Sequence, residues 1–336
     1  MAQICENGEY GIKVDKNKAL EYYEKVADVE PEAMVSIGSE FYQRNEYGQA
    51  VILFEKAAKS GNNTAINNLG TWYELGRGVE KDVLKAHDLY EEAANKGNAH
   101  AMSNLGYLYY KKAKILGSED MFLEAAHWFR FSISKDETVK DAHYYLGCMH
   151  MNGEGIDKSY TLAFKNFKKA ADYGHDSSYA KIGDLCYSGF DDNKPNKIKA
   201  YEWYVLGAER GNSQCINNLA LMLEYGFDTY SPNRKEAVKL YDRAAKMGNS
   251  DAFFNLGLAY QNGVYVEVDE LMAIDLMKKS ANMGNYKAQN YLINIGVVKD
   301  RSEFVLPKDF NAILSDDELE EESEEDEANY PPGNEQ

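Results

Sequence analysis

The chain repeats itself, and a repeat of this length leaves few folds open to it. A block of the form Ala-x-x-x-Leu-Gly begins at Ala33, Ala65, Ala101, Ala142, Ser178, Cys215, Ala252 and Ala288, the starts lying 32, 36, 41, 36, 37, 37 and 36 residues apart. A period in this range marks stacked supersecondary units, each too small to bury its own apolar face. The number of units, not the length of 336 residues, then sets the domain organisation.

A second block runs in phase with the first. It places an aromatic residue between two alanines at spacings of four: Ala19-Tyr23-Ala27, Ala50-Phe54-Ala58, Ala86-Tyr90-Ala94, Ala163-Phe167-Ala171, Ala200-Tyr204-Ala208 and Ala237-Tyr241-Ala245. Ala125-Phe129-Ile133 and Ala273-Met277-Ala281 follow it loosely. Residues four apart share a helix face, so each block is a buried stripe, with small ends that admit a neighbouring helix and a large centre that fills the layer. Gly61-Asn62, Gly97-Asn98, Gly211-Asn212, Gly248-Asn249 and Gly284-Asn285 close the second block, and Gly174-His175 is a degenerate copy. Glycine stops a helix in the left-handed region, and asparagine then caps the next one. The first and second blocks are therefore helix A and helix B. A looser turn joins them, as in Gly76-Arg77-Gly78-Val79 and Gly153-Glu154-Gly155-Ile156. Glycine inside helix A (Gly38, Gly70, Gly106, Gly147, Gly183, Gly257) costs about 0.5–1 kcal/mol relative to alanine. Close helix packing at that point explains it, and Ala220 is a tolerated variant.

The run Ala65, Leu69-Gly70, Tyr73, Gly76-Arg77-Gly78-Val79, Asp82, Lys85-Ala86, Tyr90, Ala93-Ala94 and Gly97-Asn98 resembles the Sel1-like repeat, a relative of the tetratricopeptide repeat. The resemblance covers about residues 8–296. It implies an all-α fold: a right-handed superhelical α-solenoid of about sixteen helices, with one N-terminal helix B, seven helix pairs and a closing helix A. Two copies depart from the pattern. That at 101–136 carries an insertion from Lys111 to Met121, and that at 178–212 has Asp191-Asp192-Asn193-Lys194-Pro195 in place of the glycine turn. Residues 1–296 are expected to form the repeat domain. Residues 297–314, with Phe304, Val305, Leu306, Phe310, Ile313 and Leu314, are expected to cap it, and 315–336 to form a disordered acidic tail.

Composition narrows the function. The chain has 37 basic and 55 acidic residues, a net charge of −18, which disfavours nucleic acid as a partner. Eleven of the acids, and no base, lie in the 22 residues from Ser315. Such a run cannot bury enough apolar surface to fold. Ser315 and Ser323 each precede an acid by three residues and are candidate phosphorylation sites for an acidophilic kinase. The four cysteines (Cys5, Cys148, Cys186, Cys215) lack close pairing and suit a reducing compartment. No apolar run is long enough for a membrane helix, and residues 1–20 lack a signal-type apolar core. The expectation is a soluble cytoplasmic protein without a membrane partner, whose open N-terminal end could self-associate.

Catalytic patterns are scarce. Gly76-Arg77-Gly78 follows a helix rather than a strand, so it is not a dinucleotide loop. His143 and His150, seven apart with Cys148 between them, read as packing residues, because His150 takes a position held elsewhere by Tyr73 or Tyr260. Cys186 and Cys215 also occupy repeat positions and read as small buried hydrophobes. Cysteine-rich members resembling this family are linked to penicillin binding or β-lactam hydrolysis through a cysteine pair in every repeat, which this chain lacks. No catalytic residue, cofactor or metal is expected.

By the same resemblance, helix A lines the concave face of the superhelix and the residue before Leu-Gly points there. That residue is Asn68, Asn104, Asn218 or Asn255, with Ser36, Tyr145, Lys181 and Tyr291 in other copies. An amide offers a donor and an acceptor and can hold a peptide backbone. Alternatively, each asparagine bonds the adjacent repeat and stabilises the stack. Asn67, Thr71, Glu74, Tyr107, Tyr110 and Asn217 are the neighbouring candidates, expected to be exposed. Three functions follow: a protein-interaction scaffold binding a peptide or protein on the concave face, an acidic-tail binder or chaperone for basic proteins, and, least supported, a hydrolase.

Overall fold

The computed structural model describes residues 30–191 and 193–304. The expected N-terminal helix B, residues 305–314 of the expected cap, and the acidic segment with Ser315 and Ser323 lie outside the described residues. Within them are fifteen α-helices and one short 3-10 turn, Arg301–Glu303. The chain forms two compact units, divided between Asn196 and Lys197.

The first unit holds α1 (Pro31–Gln43), α2 (Tyr47–Lys59), α3 (Asn63–Leu75), α4 (Val83–Asn95), α5 (Ala99–Leu116), α6 (Glu119–Lys135), α7 (Lys140–Asn152), α8 (Tyr160–Asp172) and α9 (Asp176–Ser188). The second holds α10 (Lys197–Glu209), α11 (Ser213–Tyr225), α12 (Arg234–Lys246), α13 (Ser250–Asn262), α14 (Glu270–Asn282) and α15 (Tyr286–Asn294). Odd-numbered helices are the A blocks and even-numbered helices the B blocks. In each unit, consecutive helices pack as antiparallel hairpins stacked on one another. This is the all-α helical repeat that the spacing predicts.

The two recurrent oddities of the sequence explain each other. The helix-A glycine faces the central residue of its own helix B, an aromatic ring at Gly38, Gly70, Gly106 and Gly147 and Met277 at Gly257. A Cβ added to Gly70 would lie 2.7 Å from the Tyr90 ring, and one added to Gly147 would lie 2.7 Å from Phe167. Tyr90, Phe129, Phe167 and Tyr241 are among the most deeply buried side chains. The glycine thus makes room for a ring at the hairpin centre, and its propensity cost is offset by burial of that ring.

The Gly-Asn connection also does two things. The Oδ1 of Asn62, Asn98, Asn249 and Asn285 caps the following helix, accepting from the backbone N–H three residues on at 2.8–3.1 Å. The Nδ2 of the same side chains reaches back to the start of the preceding helix A. Asn98 donates to the Asn63 carbonyl (3.4 Å), Asn249 to Gln214 Oε1 (3.0 Å) and Asn285 to Asp251 Oδ1 (2.8 Å). One residue type therefore caps a helix and ties two repeats.

The turn between helices A and B is not loose, contrary to expectation. Gly78 (φ +74°) and Gly155 (φ +63°) press onto the start of helix B in the preceding repeat. A Cβ there would lie 2.9 Å from the Tyr47 backbone and 2.6 Å from the Phe122 backbone. Two repeats use a different loop for the same purpose. Residues 189–196 and 226–233 share the form Gly-Phe-Asp-x-x-x-Pro-Asn and close with the bridges Phe190–Asn193 and Phe227–Tyr230. Phe190 stacks on Phe164 and Asp191 accepts from the Thr161 backbone N–H (2.8 Å), both at the start of α8. Phe227 and Tyr230 stack on Tyr201 of α10. Only the first of these loops stands out in the sequence as a departure; the second passes unnoticed there.

The insertion at Lys111–Met121 lengthens helix A. α5 runs 18 residues where the other complete A helices run 13, and stops at Gly117 in the left-handed conformation (φ +64°). Ser118 then caps α6. At the far end, Phe304 is buried against Met277, Ala281, Ala288 and Leu292.

Candidate functional site

The A helices of the first unit bring their repeat-equivalent side chains into rows. Asn104 Nδ2 on α5 donates to Asn67 Oδ1 on α3 (2.9 Å), and Asn67 Nδ2 donates to Asn68 Oδ1 (3.3 Å). The second unit repeats the chain: Asn255 donates to Asn217 (2.9 Å), and Asn217 and Gln214 donate to Asn218 (3.3 and 3.0 Å). Asn67 and Asn217 are buried, at 8% and 1% exposure, which corrects the expectation that they are exposed. Their position, two before the leucine, turns toward helix A of the next repeat. There an apolar side chain would leave the neighbouring amide unsatisfied.

Thr71, Glu74, Tyr107 and Tyr110 are half-buried rather than exposed. Glu74 accepts from Tyr90 (3.0 Å), and Tyr90 also lies 3.1 Å from Thr71 Oγ1. Lys111 of α5 donates to the other Glu74 oxygen (3.1 Å), crossing between repeats. Tyr241 and Glu224 form the corresponding bond in the second unit (2.7 Å).

Beside this row lies an aromatic cluster built by α5 and α7. Tyr145 packs between Phe129 (5.4 Å between centroids), Tyr107 (4.8 Å) and Tyr110 (5.5 Å). Tyr110 donates to Glu154 Oε2 (3.1 Å), Lys114 pairs with Glu154 Oε1, and Asn152 adds a third bond (3.1 Å). Glu154 is the residue between Gly153 and Gly155, so the docked turn delivers it to the preceding helix A. Arg77, between Gly76 and Gly78, likewise reaches Tyr42 on α1. Glu154, Lys111 and Lys114 are absent from the sequence-derived set. The repeated Gly-x-Gly, with a charged central residue, is the signal that points to Glu154.

Burial, reinforced by Glu154, pushes the Tyr110 hydroxyl well above its ordinary pKa, and burial beside Tyr107 does the same for Tyr145. Both remain protonated donors at neutral pH. Burial also raises the Cys148 thiol, against the smaller opposing influence of Lys181 and of the hydrogen bond to Tyr144. A protonated thiol is a poor nucleophile. His143 is buried and its ring nitrogens contact the Glu137 carbonyl (3.0 Å) and Asn166 Oδ1 (3.4 Å), while His150 Nδ1 contacts the Asp157 carbonyl (3.0 Å). Among the described residues no three histidine, cysteine or carboxylate side chains converge as a metal site.

Stacked hairpins, glycine-accommodated rings and a stitched helix-A face define a helical-repeat protein of the α-solenoid class. More narrowly, the chain belongs to the Sel1 repeat family, whose profile matches residues 1–28, 32–62, 64–98, 99–136, 140–175, 177–212, 213–249 and 250–285. A crystal structure of a Sel1 repeat protein from Oxalobacter formigenes is 28% identical, covers 74% of this chain and 96% of its own, and superposes with a TM-score of 0.64. A protective antigen of uropathogenic Escherichia coli with the same repeat fold is 28% identical, covers 88% of this chain and 70% of its own, with a TM-score of 0.51. An uncharacterized protein of Neisseria meningitidis serogroup B is 26% identical over 174 residues, 52% of this chain. The matched part spans 35% of that relative's length. Sel1 repeat proteins generally mediate protein–protein interactions and are typically non-enzymatic scaffolds. No described helix is long and apolar enough to cross a membrane.

Proposed function

We propose that the chain is an interaction scaffold whose helix-A face, from α3 to α7, holds an extended segment of a partner protein. One observation carries this reading. The asparagine chain Asn104–Asn67–Asn68 uses the donor of Asn104 and the acceptor of Asn68, and leaves the Asn68 Nδ2 and the Asn104 Oδ1 for a ligand. These two groups match the carbonyl and N–H of a peptide. Tyr107, Tyr110 and Tyr145 flank them with rings at low conformational cost, and Lys111 and Lys114 border the rings. Asn255 would offer the same acceptor in the second unit. The cysteines Cys148, Cys186 and Cys215 are buried and fit a reducing compartment such as the cytoplasm.

The acidic tail supports a second reading, capture of basic proteins by charge alone. A paired affinity capture from the native lysate separates the two. Baits are the full chain, residues 1–314, and an Asn68→Ala, Asn104→Ala, Tyr107→Ala variant. Preys shared by the first two baits, resistant to high salt and lost from the third, support the helix-A face. Basic, salt-sensitive preys lost with the tail overturn it.

A further inference from the structure

The turn between α13 and α14 departs from its equivalents in a way that exposes apolar surface. Gly263-Val264-Tyr265-Val266-Glu267-Val268-Asp269 aligns with Gly76–Asp82 and Gly153–Ser159, since the last residue of each caps helix B. Tyr265 therefore stands where Gly78 and Gly155 press onto the preceding repeat. It keeps the left-handed backbone (φ +57°) that favours glycine, yet its ring is 66% exposed. Val268 replaces Lys81 and Lys158 and is 62% exposed, Leu271 is 83% exposed and Met272 is 42% exposed. Four apolar side chains within eight residues face solvent at one hairpin tip, an arrangement that marks an interaction site rather than scattered surface hydrophobes.

The charges around the tip say what covers it. The tip itself, residues 263–272, carries Glu267, Asp269 and Glu270 and neither lysine nor arginine; Asp251 lies at the far end of α13, and Asp275 is paired with Lys279 (2.7 Å). Glu267 and Glu270 are exposed, and no ion pair holds either among the described residues. The equivalent turns carry bases: Arg77 and Lys81 in one, Lys158 in the other. We infer that the α13–α14 tip is a docking site for a basic amphipathic helix of a partner protein, with apolar side chains on Tyr265, Val268 and Leu271 and flanking lysine or arginine on Glu267 and Glu270. Apolar anchors ringed by opposite charge give both affinity and register. This site is separate from the helix-A face and does not depend on the function proposed for it.

The test uses the full chain and a labelled leucine/lysine amphipathic helical peptide, followed by fluorescence anisotropy. A leucine/glutamate peptide of the same apolar pattern and a lysine peptide without an apolar face serve as comparisons. The variant Tyr265→Gly, Val268→Ser, Leu271→Thr removes the apolar side chains without adding a charge, and its glycine and threonine are the residues at the equivalent positions Gly155 and Thr161. Wild type should bind the leucine/lysine peptide at least about tenfold more tightly than the variant does, the loss expected for one or two apolar anchors. It should bind neither comparison peptide comparably. Equal affinity of the variant overturns the proposal, as does equal binding of the plain lysine peptide, which would assign the attraction to charge alone. Sedimentation showing a wild-type dimer that the variant abolishes overturns it too, because the occupant would then be a second copy.

Discussion

Asn104 donates its side-chain amide to Asn67 across 2.9 Å, and 151 residues later Asn255 makes the same bond to Asn217 at the same distance. The two pairs sit in different units of the chain and join helix A to helix A in each. The acceptor is buried both times, so the bond carries more weight than an exposed one.

Replacing Asn67 or Asn217 by alanine should therefore cost about 1–3 kcal/mol of stability, because a neighbouring amide loses its buried partner. Asn68→Ala should cost less, since Asn68 is only half-buried. Urea denaturation followed by circular dichroism ranks the three. A reversed order would mean that the inter-repeat bond contributes little.

Glycine positions separate backbone strain from steric contact. Gly97 (φ +89°) has nothing within 4 Å of an added Cβ, whereas Gly155 (φ +63°) would place one 2.6 Å from the Phe122 backbone. Gly97→Ala should cost about 1 kcal/mol from conformation alone. Gly155→Ala should cost at least about 1–3 kcal/mol more, since backbone must move to admit the methyl group. Equal melting temperatures for the two variants would show that the turn is not docked as described.

Asn285 gives a pH-dependent test of the double role of the cap. Asn285→Asp keeps the capping oxygen but sets a carboxylate against Asp251, which now accepts the Asn285 amide at 2.8 Å. The aspartate variant should be less stable than Asn285→Ser at pH 7. The difference should shrink as the pH falls through about 4, where carboxylates protonate. A difference independent of pH would count against the inter-repeat arm.

His175 occupies the cap position of α9 and makes no capping bond. Burial holds its pKa below the ordinary 6.5, against the pull of Asp141 at 3.5 Å. The unfolded chain thus takes up a proton on acidification before the folded chain does. The neutral-histidine contribution to stability is complete above about pH 6.5 and is lost as the pH falls from there toward the depressed folded value. His175→Asn, which restores the residue found in other copies, should flatten the dependence between pH 5.5 and 7.5 and raise stability by about 1 kcal/mol through the cap. An unchanged slope would place the pH sensitivity elsewhere.

The hairpins were legible in the sequence because their causes are local. The stripe Ala86-Tyr90-Ala94 declares a helix face through its spacing of four, and Gly97-Asn98 declares where one helix stops and another starts. The docked turns and the asparagine rows were not legible, because each pairs residues far apart in the chain. Asn104 and Asn67 are 37 residues apart, and Tyr110 and Glu154 are 44 apart. Periodicity shows which side of a helix is apolar. It does not show which edge of that side meets the next repeat, so Asn67 and Asn217 read as surface. Gly226-Phe227-Asp228 repeats Gly189-Phe190-Asp191, and that kinship shows only when the two loops are set against each other.

Glu154 and Gly155 belong by sequence to the hairpin of α7 and α8, yet their partners Tyr110, Lys114 and Phe122 belong to the hairpin before it. A hairpin transplanted alone would arrive with half of each contact and leave the other half behind. The piece that can be exchanged intact runs from helix A of one hairpin to the turn of the next, and successive pieces overlap like roof tiles. Shortening or lengthening such an array without loss means matching the incoming turn to the tyrosine and helix start already in place.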